Sequence, residues 1–114
     1  MKIEVSADSR AGGSSAAIAE VSALVEKGLA RFSERLTRVE VHLSDINGAR
    51  GGIDRRCQLE ARAAARNPVS VDHEAGSEVE AVRGAIDKMV RLLTSTFDRL
   101  NDHRGGVSAS GEPT

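Results

Sequence analysis

The basic side chains have the spacing in this sequence that most plainly suggests chemistry. Lys27, Arg31, Arg35 and Arg38 recur at steps of four, four and three. On a helix that spacing makes one stripe, set beside the apolar stripe rather than on it. Lys88, Arg91 and Arg99 lie near one line of a second helical stretch, with Ser95 between them. Two such stripes held next to each other would form a cationic track. A track of that kind neutralises phosphates and gives salt-sensitive binding to a nucleic-acid backbone. Taken alone, the charge pattern is first of all that of a solvated helix surface. Lys and Arg are routine there, and Glu34 and Asp87 stand close enough to blunt the two stripes.

Other chemistry is not expected. His42, Cys57 and His73 invite a metal site, but strand parity puts Cys57 and His73 on an apolar face and His42 on the opposite one. A three-ligand centre needs all its donors to converge. Cys57 therefore suits ordinary packing, and His73 suits a sheet edge with its ring partly wet. The glycine-rich GARGG at 48–52 lacks the Lys-Ser/Thr of a phosphate-cradling loop. No carboxylate pair is marked out by a motif, and scattered serines and three histidines define no nucleophile and base. The expectation is a protein with no catalytic residues, no metal, no cofactor and no small-molecule substrate.

Composition bounds the protein class, and whole-protein charge gives no strong prior for nucleic acid. A chain of 114 residues holds one domain and at most a tail. Hydrophobic residues make up 39% and charged residues 29%, the balance of a globular chain rather than a disordered one. Two Phe, no Tyr and no Trp imply an aliphatic core and argue against an aromatic platform for stacking bases. No stretch approaches the roughly 20 apolar residues of a membrane span, and MKIEVSADSR lacks the apolar run of a secretory signal. One cysteine allows no internal disulfide, which fits a reducing cytoplasm. The net charge of −1 hides an asymmetry. Residues 27–66 carry nine basic against five acidic side chains, whereas residues 67–87 carry one against five. The basic middle could meet a polyanion; the acidic stretch after it could not.

Hydrophobic periodicity supplies the elements that must hold these residues. Met1 to Ser6 alternates as a short half-buried strand, with Ile3 and Val5 on one side. Residues 8–15 form a turn or loop. From Ala16 to about Glu34, Ile18, Val21, Val25, Leu29 and Phe32 recur at three- and four-residue steps, continued by Leu36, as in an amphipathic helix. Gly28 inside it suggests close packing against the sheet. Alternation returns at Arg38, again around Cys57, and again from Val69. The glycine-rich 45–54 stretch is a flexible hairpin link, and Asn67-Pro68 is a turn. Three alternating runs with short links describe an antiparallel meander with one wet face. Ser77-Glu78-Val79-Glu80 is a capping box that opens a second helix. Its stripe is Val79, Val82, Ile86, Met89, Leu93, Phe97 and Leu100, and it ends near His103. The predicted domain spans 1–103, and the small, polar residues 104–114 form a disordered tail. A right-handed strand–helix–strand crossover makes the first two strands parallel. The expected fold is α+β: a β-α-β-β-β-α two-layer sandwich, a four-stranded mixed sheet with two helices on one face.

With that order of elements, the chain resembles the short ribosome hibernation-promoting factors, also called ribosome-associated inhibitor or sigma-factor modulation proteins. The resemblance covers about residues 1–102. It is carried by MKIEVS at the N-terminus, by FSERLTRVEVHLSD at 32–45 and by AVRGAIDKMVRLL at 81–93. Family members commonly have an Ile-Asp-x-x-x-Asp-Lys-Leu-like run in the last segment; here Val82-Arg83 stands at the first Ile-Asp, followed by Ile86-Asp87-Lys88-Met89. The resemblance implies a shape related to double-stranded RNA-binding domains. It also implies a cytoplasmic protein that binds the decoding region of the small ribosomal subunit and represses translation under stress or starvation. Lys27, Arg31, Arg35, Arg38, Lys88, Arg91 and Arg99 then become contacts to rRNA phosphates, and duplex RNA is recognised by backbone and shape without aromatics. One departure matters: where relatives end the second helix with several basic residues, TSTFDRLND at 94–102 has only Arg99. Fewer phosphate contacts imply weaker binding and a shallower salt dependence. The alternative is a diverged protein-interaction module that keeps the fold but not the ribosome. Such a module would pair through the polar sheet face or through the outer strand edges, the latter also a route to a homodimer.

Overall fold

Alternation of apolar and polar residues becomes a sheet with one covered face. The computed structural model describes residues 1–7, 15–45, 55–64 and 66–105, with the side chains of 15, 16, 45 and 99–105 left out. The elements are β1 (Lys2–Ala7), α1 (Ser15–Gly28), a 3₁₀ turn (Ala30–Phe32), β2 (Leu36–Asp45), β3 (Arg55–Ala63), β4 (Val69–Ala75) and α2 (Glu78–Gly105). The strands lie in the order β1-β2-β3-β4, with β1 and β4 at the edges. β1 runs parallel to β2, and the two remaining pairs are antiparallel. This is the expected α+β arrangement. The expected loop at 8–15, the glycine-rich link and the C-terminal tail fall wholly or mostly outside the described residues.

Register aligns the apolar positions across the sheet. Val5, Val41, Leu59 and Val71 are successive cross-strand neighbours, and so are Ile3, Val39, Ala61 and Val69. Val39, Val41, Cys57 and Leu59 are fully buried beneath the helices. Val21, Val25 and Leu29 come down from one side; Val82, Ala85, Met89 and Leu93 come from α2. All the side chains in this core are hydrophobic among the described residues. Burying a residue the size of Leu or Val contributes roughly 1.5–3 kcal/mol, so the periodic stripes are enough to dictate the layer order. Ser77 caps α2 as predicted, its Oγ accepting a hydrogen bond from the Glu80 amide at 3.3 Å.

The first helix is shorter than its apolar spacing predicts. α1 ends at Gly28 rather than near Glu34. Beyond it the amides of Phe32, Ser33 and Arg35 donate to the carbonyls of Leu29, Ala30 and Phe32, each three residues back, at 2.9, 3.0 and 2.9 Å. A 3₁₀ turn also repeats every three residues, so Leu29 and Phe32 reach the core without continuing the α-helix. Gly28 itself faces the other helix, not the sheet: a Cβ there would lie 2.5 Å from Ile86 Cγ2. Gly84 plays the matching part between α2 and β4, where a Cβ would meet the His73 ring at 2.1 Å. These two close approaches fix the seat of α2 and therefore the groove between it and α1.

Candidate nucleic-acid interface

The shortened helix redistributes the first basic row. Lys27 sits in the last turn of α1, Arg31 in the 3₁₀ turn and Arg35 just before β2. All three are exposed and overlook the groove between the helices. Arg38 does not belong with them. It lies on β2 and points to the sheet face away from the helices, because the chain has already become extended by Leu36. There it contacts the carboxylates of Glu4 and Glu40. The Glu40 contact, 3.1 Å from Nε, is one of charge only, since that N–H has no aligned acceptor.

The second row occupies a different flank. Lys88 reaches toward β4 and donates to the Asp72 carbonyl at 2.8 Å. Arg91 is exposed about 200° around the helix from Met89, on the crest away from the sheet. Arg99 lies within α2, its side chain outside the described residues. The two rows therefore do not adjoin. The side of α2 that faces α1 instead presents Arg83, Asp87, Thr94 and Asp98. Arg83 is the cation the sequence stripes missed; it shares one end of the groove with Lys27. Helical spacing puts residues 83, 87, 90, 94 and 98 on one flank of the apolar stripe, but the spacing alone does not say that this flank meets α1.

At the other end of the groove is a bay with aromatic backing. Arg31, Phe32 and Arg35 form one wall, and Thr94, Phe97 and Asp98 the other. The Phe32 and Phe97 ring centroids are 5.8 Å apart. The Arg31 guanidinium carbon stands 5.9 Å from the Phe32 centroid, and that of Arg35 stands 4.7 Å from Phe97. Cation–π contact of this kind holds a guanidinium in place without using up its hydrogen-bond donors. No ion pair joins Lys27, Arg31, Arg35, Arg83, Lys88 or Arg91 to an acid among the described residues. Lys88 has one donor on the Asp72 carbonyl; the charge of each of the six is unmet by a described acid.

The open sheet face is arranged in the opposite way. Lys2, Arg38 and Arg62 are cross-strand neighbours, and beside them run Glu4, Glu40 and Glu60. Like charges directly opposite one another would repel, but each basic row lies against an acidic one. Lys2 pairs with Glu4, Arg38 with Glu4 and Glu40, and Arg62 with Glu60. Arg56 pairs with Asp72. His42 sits in the same lattice, its Nδ1 2.9 Å from Ser6 Oγ and its Nε2 3.5 Å from Glu40. Cys57 and His73 are neighbours on the covered face, apart from His42. Burial, with the nearby Glu78 carboxylate adding to it, pushes the Cys57 thiol up to about 12, so the sulfur stays protonated and is a poor nucleophile or ligand at neutral pH.

Several solved structures share this fold. A ribosomal subunit interface protein from Coxiella burnetii superposes with a TM-score of 0.68 over 86% of this chain and 99% of the other, at 13% identity. The Protein Y N-terminal domain of Thermus thermophilus superposes with a TM-score of 0.57 over 78% and 91%, at 24% identity. No model of a known protein family matches the chain, and no curated protein does. The α+β fold implied by the sequence resemblance is thus the one these structures have.

Proposed function

We propose that this protein associates with the small ribosomal subunit, binds 16S rRNA phosphates through its helix layer and represses translation under stress or starvation. The observation that carries the reading is the set of exposed helix-layer cations with no acidic partner among the described residues, on a fold shared with a ribosomal subunit interface protein. RNA duplexes are recognised by phosphate contacts and shape, and a groove flanked by Lys27, Arg31, Arg35 and Arg83 offers both. Arg91 on the crest and Lys88 on the far flank widen the contact, with Arg99 further along α2. Arg38 takes no direct part, because its charge is already met by Glu4 and Glu40. Asp87 and Asp98 interrupt the positive surface, which supports modest affinity and a shallow salt dependence. The protein works as a cytoplasmic binding factor, without catalysis or cofactor.

Co-sedimentation with purified small subunits tests the reading. The wild-type chain is expected to travel with the subunit, and Arg31→Glu with Arg35→Glu is expected to leave it at the top of the gradient. Lys88→Glu with Arg91→Glu is expected to weaken co-sedimentation less. A wild-type protein that stays at the top would reject ribosome association.

A further inference from the structure

The bay at the end of the groove holds charges of both signs without joining them. Arg31 and Arg35 stand over Phe32 and Phe97, and Asp98 is exposed on the facing wall. Neither arginine forms an ion pair with Asp98. Each guanidinium lies by a phenyl ring, and the bay is lined by these donors and by the Asp98 acceptor, unpaired with one another.

We propose that this bay seats one nucleotide unit of RNA and tells it from DNA, with Arg31 and Arg35 taking the phosphate and Asp98 accepting a hydrogen bond from the ribose 2′-hydroxyl. The inference rests on the rRNA-binding reading above and deepens it. A bare carboxylate beside a phosphate repels it. The arrangement becomes favourable only if the ligand presents a donor within one sugar of its phosphate, and ribose supplies one through the 2′-hydroxyl next to the 3′-phosphate. Deoxyribose has no donor there, so Asp98 would face a DNA strand uncompensated. Asp98 therefore sets specificity: it weakens binding to every polyanion and returns the loss only to RNA. The Thr94 hydroxyl, on the same wall, is placed to donate to the phosphate.

The test uses the full chain and short single strands of one base sequence, made as RNA, DNA and 2′-O-methyl RNA, with binding read by fluorescence anisotropy. The methylated strand keeps the ribose pucker and removes the donor. The wild type is expected to prefer RNA over both others by about tenfold, the order of a hydrogen bond to a charged acceptor. In Asp98→Ala, an exposed site where folding is retained, DNA binding should tighten and the preference should largely vanish. Asp98→Asn, which keeps an acceptor without the charge, should tighten DNA binding and keep part of the preference. Equal wild-type affinity for the three strands overturns the inference, as does a full preference surviving in Asp98→Ala. If no strand binds while small subunits still carry the protein down the gradient, the bay assignment fails and ribosome association stands. If small subunits fail to carry it as well, both fail.

Discussion

The two faces of this molecule both carry basic side chains and treat them differently. On the open sheet face Lys2, Arg38, Arg56 and Arg62 each contact a carboxylate. On the helix layer Lys27, Arg31, Arg35, Arg83, Lys88 and Arg91 form no ion pair with a described residue. Strand register explains the first pattern. The row Lys2, Arg38 and Arg62 lies beside the row Glu4, Glu40 and Glu60, and Arg56 lies diagonal to Asp72, so each of these cations has an acid one row away. Helix geometry explains the second, since the cations of α1, the 3₁₀ turn and α2 point over a groove, a crest or the β4 flank instead of along a shared ladder. Counting charge does not separate the two faces; asking which charges are already answered does.

Reversing charge on the helix layer should produce the largest effect. Arg31→Glu with Arg35→Glu removes the two proposed phosphate contacts and adds repulsion, and a loss of about 100-fold in small-subunit affinity is expected from equilibrium binding. Thermal stability should fall only slightly, by the order of the cation–π contacts, about 0.5–1 kcal/mol each.

Disturbing the seat of α2 should come next. Gly84→Ala places a methyl group against His73. Overpacking of this kind costs about 1–3 kcal/mol, set against about 1 kcal/mol of helix propensity gained. Chemical denaturation should show net destabilisation, and His73→Ala in the same chain should relieve it.

Cys57 links core burial to pH. Its thiol stays protonated up to about 12 when folded, against an ordinary value of 9.0. As pH rises above 9 the unfolded chain releases this proton and the folded chain does not, so stability falls between 9 and 12. Denaturation at high pH should show that decline, and Cys57→Ala should flatten it. Alkylation of the native thiol at neutral pH should be slow and should follow unfolding.

Arg38→Ala should have the smallest effect. It breaks part-exposed pairs worth about 0–1 kcal/mol and should leave small-subunit affinity unchanged. A marked loss of affinity in this variant would bring the sheet face into the interface and erase the contrast.

Much of this was legible in the sequence, for a physical reason. A period of two in Val39-Val41-Leu43 and in Cys57-Leu59-Ala61 reports burial on one sheet face directly, and β2, β3 and β4 appear where that period predicts. The end of α1 was hidden because Leu29 and Phe32 keep a three-residue step through a 3₁₀ turn. Arg38 looked like the next member of a helical row for the same reason. Arg83 was missed because nothing in a single helix says which flank of its apolar stripe meets a neighbour. That depends on where Gly28 lets Ile86 approach. The pairing of Arg38 with Glu4 depends on the register between strands 34 residues apart, which local patterning does not encode.

The salt dependence of small-subunit binding tests the contrast between the faces most directly. Affinity should be measured from about 50 to about 200 mM salt for the wild type, for Arg31→Ala with Arg35→Ala, and for Arg38→Ala with Arg56→Ala. The helix-layer pair should reduce the slope of log K against log salt by about 1.4–1.8, two phosphate contacts' worth, while the sheet-face pair leaves it unchanged. A slope altered by the sheet-face pair and untouched by the helix-layer pair would contradict the account.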